Sequence, residues 1–124
     1  MLPRIMILDD EEDIRNALAC FLEDFDEFSV RSAHSAEQAL AELRGEPADL
    51  CIVDIRLPGM NGAEFIRAAR AEGLCPRHVL HTGSTDFRNY IDISALCLVE
   101  EDVFLKPCDS MEMLNRIRRL LHGQ

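Results

Sequence analysis

Apolar residues in this chain gather in short unbroken runs, Ile5-Met6-Ile7-Leu8, Leu50-Cys51-Ile52-Val53 and Val103-Phe104-Leu105, and each run stops abruptly on a charged residue. Runs this short and this apolar suit strands covered on both faces, as in a parallel sheet. Between them the period changes. Ile14, Ala17, Leu18, Phe21, Leu22 and Phe25 recur as the stripe of an amphipathic helix. Phe28 to Ala33 reads as a second strand and His78 to His81 as a fourth, ending at Thr82. Ser35 with Gln38 opens a helix carrying Ala36, Ala39, Leu40 and Leu43, which Gly45 and Pro47 stop. Asn61 with Glu64 opens another that runs to about Ala71. Asp109 with Glu112 opens the last, with Met113, Leu114, Ile117, Leu120 and Leu121 facing inward. The segment from Asp86 to Leu98 is expected to be the remaining helix, although Ile91, Ile93, Leu96 and Leu98 mix two periods. Five strands alternating with five helices predict a doubly wound α/β fold: a five-stranded parallel sheet, three α/β/α layers, right-handed crossovers.

At 124 residues the chain has the length of one domain, and residues 1–124 are expected to form one. Twenty-three acids against thirteen bases leave a formal charge of −10, which would repel phosphate backbones and anionic lipid. Direct nucleic-acid binding is therefore not expected. Most of that excess, in Glu11 to Glu27 and Glu100 to Asp102, reads as solvated surface. No apolar run, Ala95 to Val99 included, approaches the roughly 20 residues a membrane span needs. The start, Met1-Leu2-Pro3-Arg4, does not read as a signal peptide, so a cytoplasmic location is expected. Cys20, Cys51, Cys75, Cys97 and Cys108 are far apart, with no C-x-x-C pair, and no metal-binding set with a histidine is read from them. They read as reduced structural thiols, Cys51 buried. His34, His78, His81 and His122 read as incidental, and Arg116, Arg118 and Arg119 as charges matching the end of the last helix or as a partner surface. The last helix runs to the end of the sequence, so any output domain is expected to lie outside it.

The chemistry collects where the strands stop. Asp9-Asp10, Asp54, Thr82 and Lys106 each follow or end an apolar run, and ligands of doubly wound sheets bind outside the carboxyl ends of the strands. Three carboxylates brought close together stay ionised only around a cation. Mg²⁺ suits them, being hard and oxygen-seeking, with Mn²⁺ as a substitute. A carboxylate beside such an ion is a competent nucleophile towards phosphorus, giving an aspartyl phosphate. Lys106 would neutralise one phosphoryl oxygen and the Thr82 hydroxyl would bond another, while Gly83 leaves room for the group.

With Ile7-Leu8-Asp9-Asp10-Glu11, Val53-Asp54-Ile55-Arg56-Leu57-Pro58-Gly59-Met60-Asn61-Gly62, His81-Thr82-Gly83-Ser84 and Leu105-Lys106-Pro107, the sequence resembles the receiver domain of two-component response regulators over essentially its whole length. The resemblance implies a flavodoxin-like fold with strand order 2-1-3-4-5. It implies that Asp54 takes a phosphoryl group from a sensor histidine kinase or a histidine phosphotransfer protein. Asp10, Asp54 and the Arg56 backbone carbonyl would bind Mg²⁺ directly and Asp9 through water. Thr82 and Lys106 would grip the phosphoryl oxygens. Arg56 and Ser84, with Gly83, would tune hydrolysis, and the bond before Pro107 would be cis. The signal would reach the face made by the fourth helix, fifth strand and fifth helix, through which a homodimer is also predicted. Such a domain is a signalling switch rather than an enzyme with external turnover.

One position departs from the family pattern. Receivers usually carry Tyr or Phe three residues before the lysine; here that position is Val103, and the aromatic, Phe104, falls on the opposite strand face. Coupling is therefore expected through the loop after Thr82 and the segment containing Tyr90, the only tyrosine. Three other readings compete. A haloacid-dehalogenase-type phosphatase needs an acid two residues after its nucleophile, where Arg56 stands. A flavodoxin-like cofactor binder needs a phosphate loop where Asp9-Asp10-Glu11-Glu12 would repel phosphate. A binding module with an inactive site is the third.

Overall fold

In the computed structural model, which describes residues 1–89 and 91–123, the strands are β1 (Arg4–Leu8), β2 (Ser29–Ala33), β3 (Leu50–Val53), β4 (Arg77–Thr82) and β5 (Val103–Leu105). They form one parallel sheet in the order β2-β1-β3-β4-β5. Alternate residues of the central strands feed two separate cores. Met6, Leu8, Cys51, Val53 and Leu80 pack beneath α2 (Ala36–Gly45) and α3 (Gly62–Ala71), whereas Ile5, Ile7, Leu50, Ile52 and Val79 pack beneath α1 (Glu12–Glu23) and α4 (Ser110–His122). Both faces are covered, which is why these strands read as continuous apolar runs.

Helix starts follow their caps. Asn61 and Glu64 form a reciprocal capping box, each side chain accepting the other's backbone N–H, at 2.9 and 3.1 Å. At α2 the Ser35 hydroxyl accepts from the Gln38 N–H, but the Gln38 side chain returns its bond to His34 instead. Asp109 accepts from the amides of Met111 and Glu112 and opens α4.

The described residues contain four α-helices rather than five. Where a helix was expected from Asp86 to Leu98, the chain makes 3₁₀ turns at Phe87–Asn89 and Ser94–Leu96, followed by a third at Glu100–Asp102. The buried side chains explain why. Phe87, Ile91, Leu96 and Leu98 all reach the core. At about 100° per residue, a continuous helix would turn Leu96 away from the other three. The Asp92 carboxylate breaks the segment by accepting from the Ser94 amide and hydroxyl, and Cys97 closes it at φ 60°. Tyr90 lies outside the described residues. The expected output face therefore has 3₁₀ turns where its first helix was placed.

Three further expectations change. Asp102 is not solvated; it is 4% exposed, accepts the Val99 amide and pairs with the Arg116 guanidinium at 2.9 Å. Arg116 and Arg118 serve partners on other elements, Asp102 and Glu27, rather than only the end of their helix. Cys51 and Cys75, distant in sequence, bring their sulfurs within 3.0 Å of each other beside His78. Among the described residues no helix is long and apolar enough to cross a membrane.

Candidate functional site

Because the strands are parallel, their carboxyl ends share one edge of the sheet. Register aligns the residues just beyond those ends: Leu8 lies opposite Val53, so Asp9 and Asp54 emerge side by side. The Asp54 amide donates to the Leu8 carbonyl at 2.9 Å and the Asp9 amide to the Ala33 carbonyl at 3.2 Å, fixing both starting points. Thr82 pairs with Leu105, and the Lys106 amide donates to the Thr82 carbonyl at 2.7 Å, which sets Lys106 across the same edge.

The Lys106 ammonium lies among the acids, 2.8 Å from Asp9 Oδ2, 3.2 Å from Asp54 Oδ2 and 3.7 Å from Glu11 Oε1. Asp9 and Asp54 are buried; Asp10 and Glu11 form an exposed rim. One carboxylate oxygen from each of the four can lie within 4.8 Å of the rest. A set of oxygen donors with no nitrogen or sulfur among them fits a hard divalent cation. Glu11 is the member that sequence reasoning counted as surface; being the third acid in a row after β1 was its only signal.

Burial pushes the Asp54 carboxyl above its usual range, the Lys106 charge opposes this, and the Asp9 carboxylate adds to it. Burial pulls Lys106 down, but its bond to Asp9 and the charge of Asp54 more than offset that, and the ammonium is held above its ordinary value. His81, one residue before the end of β4 and read from the sequence as incidental, also borders this pocket. Burial first and the Lys106 charge second lower its imidazole to about 4, with Asp9 acting the other way. His81 and Lys106 border a groove of about 600 Å³ that runs past Glu11 and Leu18 to Cys108.

The other expected residues surround Asp54. The Arg56 amide donates to Asp54 Oδ1 at 3.2 Å, while its exposed guanidinium reaches Asp86 at 3.9 Å. Thr82 is buried and its hydroxyl accepts from the Ser84 amide at 3.2 Å. The Ser84 hydroxyl bonds Asp86, so the loop after β4 is tied to the loop after β3. Gly83 is exposed, with open space where a Cβ would stand. The Lys106–Pro107 peptide is cis. Val103 packs on the α2–α3 side of the sheet and Phe104 on the α1–α4 side.

Chemically, this is a recessed carboxylate held at one oxygen by an amide and at the other by an ammonium, with a hydroxyl, an open glycine and a rim of acids nearby. Comparison with known proteins gives a family model described as the response regulator receiver domain, matching residues 5–118. The transcriptional regulatory protein AruR of Pseudomonas aeruginosa is 35% identical over 133 residues, covering 100% of this chain and 53% of its own length. The response regulator ArlR of Staphylococcus aureus is 30% identical over 121 residues, covering 98% and 53%. The chain thus spans about half the length of these curated relatives. Among solved structures, a CheY-like response regulator receiver domain protein from Methanospirillum hungatei superposes with a TM-score of 0.83 at 27% identity, covering 99% of this chain and 96% of that one.

Proposed function

We propose, for a chain that belongs to the response regulator receiver domain family of two-component systems, that Asp54 is its phosphoacceptor. The observation that carries the reading is the Lys106 ammonium set between two buried carboxylates at the strand ends. Such a lysine is positioned to follow charge from the waiting carboxylate to an incoming phosphoryl group.

In the transfer, an Asp54 oxygen forms a bond to phosphorus as the P–N bond of a phosphohistidine breaks, and the departing imidazole takes a proton from solvent. The donor is a sensor histidine kinase or a histidine phosphotransfer protein. The Arg56 amide holds Oδ1 and orients the nucleophile. Lys106 neutralises a phosphoryl oxygen as a point charge, and the Thr82 hydroxyl, now accepting from Ser84, donates to another. Asp9, Asp10, Glu11 and Asp54 would hold Mg²⁺, or Mn²⁺ in its place, and the ion supplies the charge neutralisation that lets a carboxylate approach a phosphate. The domain catalyses its own phosphorylation and dephosphorylation and turns over no external substrate.

The signal leaves through the loop after β4, because Thr82 is bonded to Ser84, Ser84 to Asp86 and Asp86 to Arg56. It arrives at the 3₁₀ turns, β5 and α4. That face suits a partner or a second copy, with Val99 and Leu105 exposed beside an unpaired strand edge.

Intact-mass measurement after treatment with acetyl phosphate and Mg²⁺ tests the reading. One added phosphoryl group, absent from Asp54→Ala, is expected. An unchanged mass in the folded parent, or full phosphorylation of Asp54→Ala, would refute it.

A further inference from the structure

A second cluster lies inside the core, away from the acids. Parallel register sets Cys51 of β3 directly opposite His78 of β4, so both project to the same face of the sheet, on the α3 side. Cys75, two residues before β4, turns its sulfur onto Cys51 at 3.0 Å and onto the Arg77 carbonyl at 3.3 Å. All three residues are closed to solvent, at 1% exposure or less. Two sulfurs and an imidazole nitrogen lie within 4.8 Å of one another.

The histidine is the informative member. Its ring stands edge-on to Phe65, with centroids 6.3 Å apart, and among the described residues neither Nδ1 nor Nε2 has a hydrogen-bond partner. Buried polar atoms are rarely left this way. An imidazole whose nitrogens make no hydrogen bond of good geometry, set beside two thiols bonded to each other and to the Arg77 carbonyl, is a donor set without an acceptor.

We infer that Cys51, Cys75 and His78 bind one thiophilic d¹⁰ cation, Zn²⁺. Loading forms two metal–sulfur bonds and one metal–nitrogen bond; the two thiol protons pass to solvent and the imidazole binds neutral. No electron moves. Two thiolates balance the two charges of Zn²⁺, so the filled site is neutral, as a core demands. Cu⁺ on two thiolates would leave a net negative charge, and Mg²⁺ avoids sulfur. The Arg77 carbonyl beside Cys75 offers an oxygen for a fourth position. The cluster sits at the amino ends of β3 and β4, whereas Asp54 and Thr82 lie at their carboxyl ends. A bound ion would therefore tie the two strands together without entering the acidic pocket, and the inference stands independently of phosphorylation.

The test uses Co²⁺ as a coloured stand-in for Zn²⁺. The reduced full chain is refolded with graded Co²⁺ in excess Mg²⁺, which fills the oxygen site and gives no thiolate absorption. Thiolate-to-cobalt charge-transfer absorption is expected, saturating at one equivalent and bleached by one equivalent of Zn²⁺. It should vanish in Cys51→Ala and Cys75→Ala, each checked for folding by circular dichroism, and persist in Cys20→Ser and Cys97→Ser, whose thiols are exposed. The parent alone keeps the inference falsifiable if a core variant fails to fold. Absence of the band in folded, reduced parent, failure of Zn²⁺ to bleach it, its survival in Cys75→Ala, or formation of a Cys51–Cys75 disulfide in place of metal uptake would each overturn the inference.

Discussion

Replacing Gly62 with alanine should destabilise the protein, although the same change in most helices does the reverse. Gly62 opens α3 with its Cα pressed onto the end of β3. A Cβ there would stand 2.4 Å from the Asp54 carbonyl oxygen and 2.8 Å from Ile55 Cα, both of them backbone atoms. Ordinary carbon contacts sit at about 3.5–4.0 Å, so the start of the helix would have to retreat by roughly 1 Å. The Gly62 amide also donates to the Ile55 carbonyl at 2.9 Å, and that bond would stretch. Overpacking of this kind costs about 1–3 kcal/mol. The opposing gain, from helix propensity and a less flexible unfolded chain, is at most about 1 kcal/mol. Because both contacts are to backbone, which cannot swing aside, the cost falls in the upper part of its range and the net is a loss of about 1–2 kcal/mol. Gly45, the last residue of α2, supplies the control, since nothing lies within 4 Å of a Cβ built there. Gly45→Ala should gain about 0.4–1 kcal/mol. Urea unfolding followed by far-ultraviolet circular dichroism gives both midpoints. If Gly62→Ala matches or exceeds the parent while Gly45→Ala behaves as stated, the close approach carries no strain and the reasoning fails.

Two other perturbations probe the pocket. Lys106→Met leaves Asp9 and Asp54 buried without their cation and should lower stability by about 1.5–3 kcal/mol in metal-free buffer, with Mg²⁺ restoring part of it; an unchanged urea midpoint would show that the ammonium contributes nothing there. The imidazole of His81, lowered to about 4 against about 6.5 when unfolded, is neutral in the fold. Its contribution is complete above about pH 6.5 and is lost as pH falls towards 4, amounting to about 3 kcal/mol in all. His81→Gln should flatten the stability profile across that window, and a parent-like slope in the variant would assign the acid sensitivity elsewhere.

The sequence showed the strands clearly because Ile5–Leu8 and Leu50–Val53 are apolar at every position, a pattern that only two covered faces explain. It also showed the Asn61–Glu64 cap, since both partners lie within one turn. What it hid depends on contacts between elements. Asp102 read as solvent-facing because its partner, Arg116, stands on another element. The 3₁₀ turns at Phe87 and Ser94 read as a helix because four apolar residues were present; which of them share a face depends on the core they meet. Cys51 and His78 looked unrelated until the β3–β4 register paired them. His81 carries no local signal at all, and its character comes first from its burial and then from the charge of Lys106.

An ammonium that belongs to the chain cannot diffuse away. Lys106 supplies the acidic pocket with a counterion at a concentration set by the fold and indifferent to the medium. A cation arriving from solution would have to exchange with a resident that stays within reach after displacement. Occupancy would then be a contest between one variable ion and one constant one, with the lysine as the fixed standard against which the other is weighed.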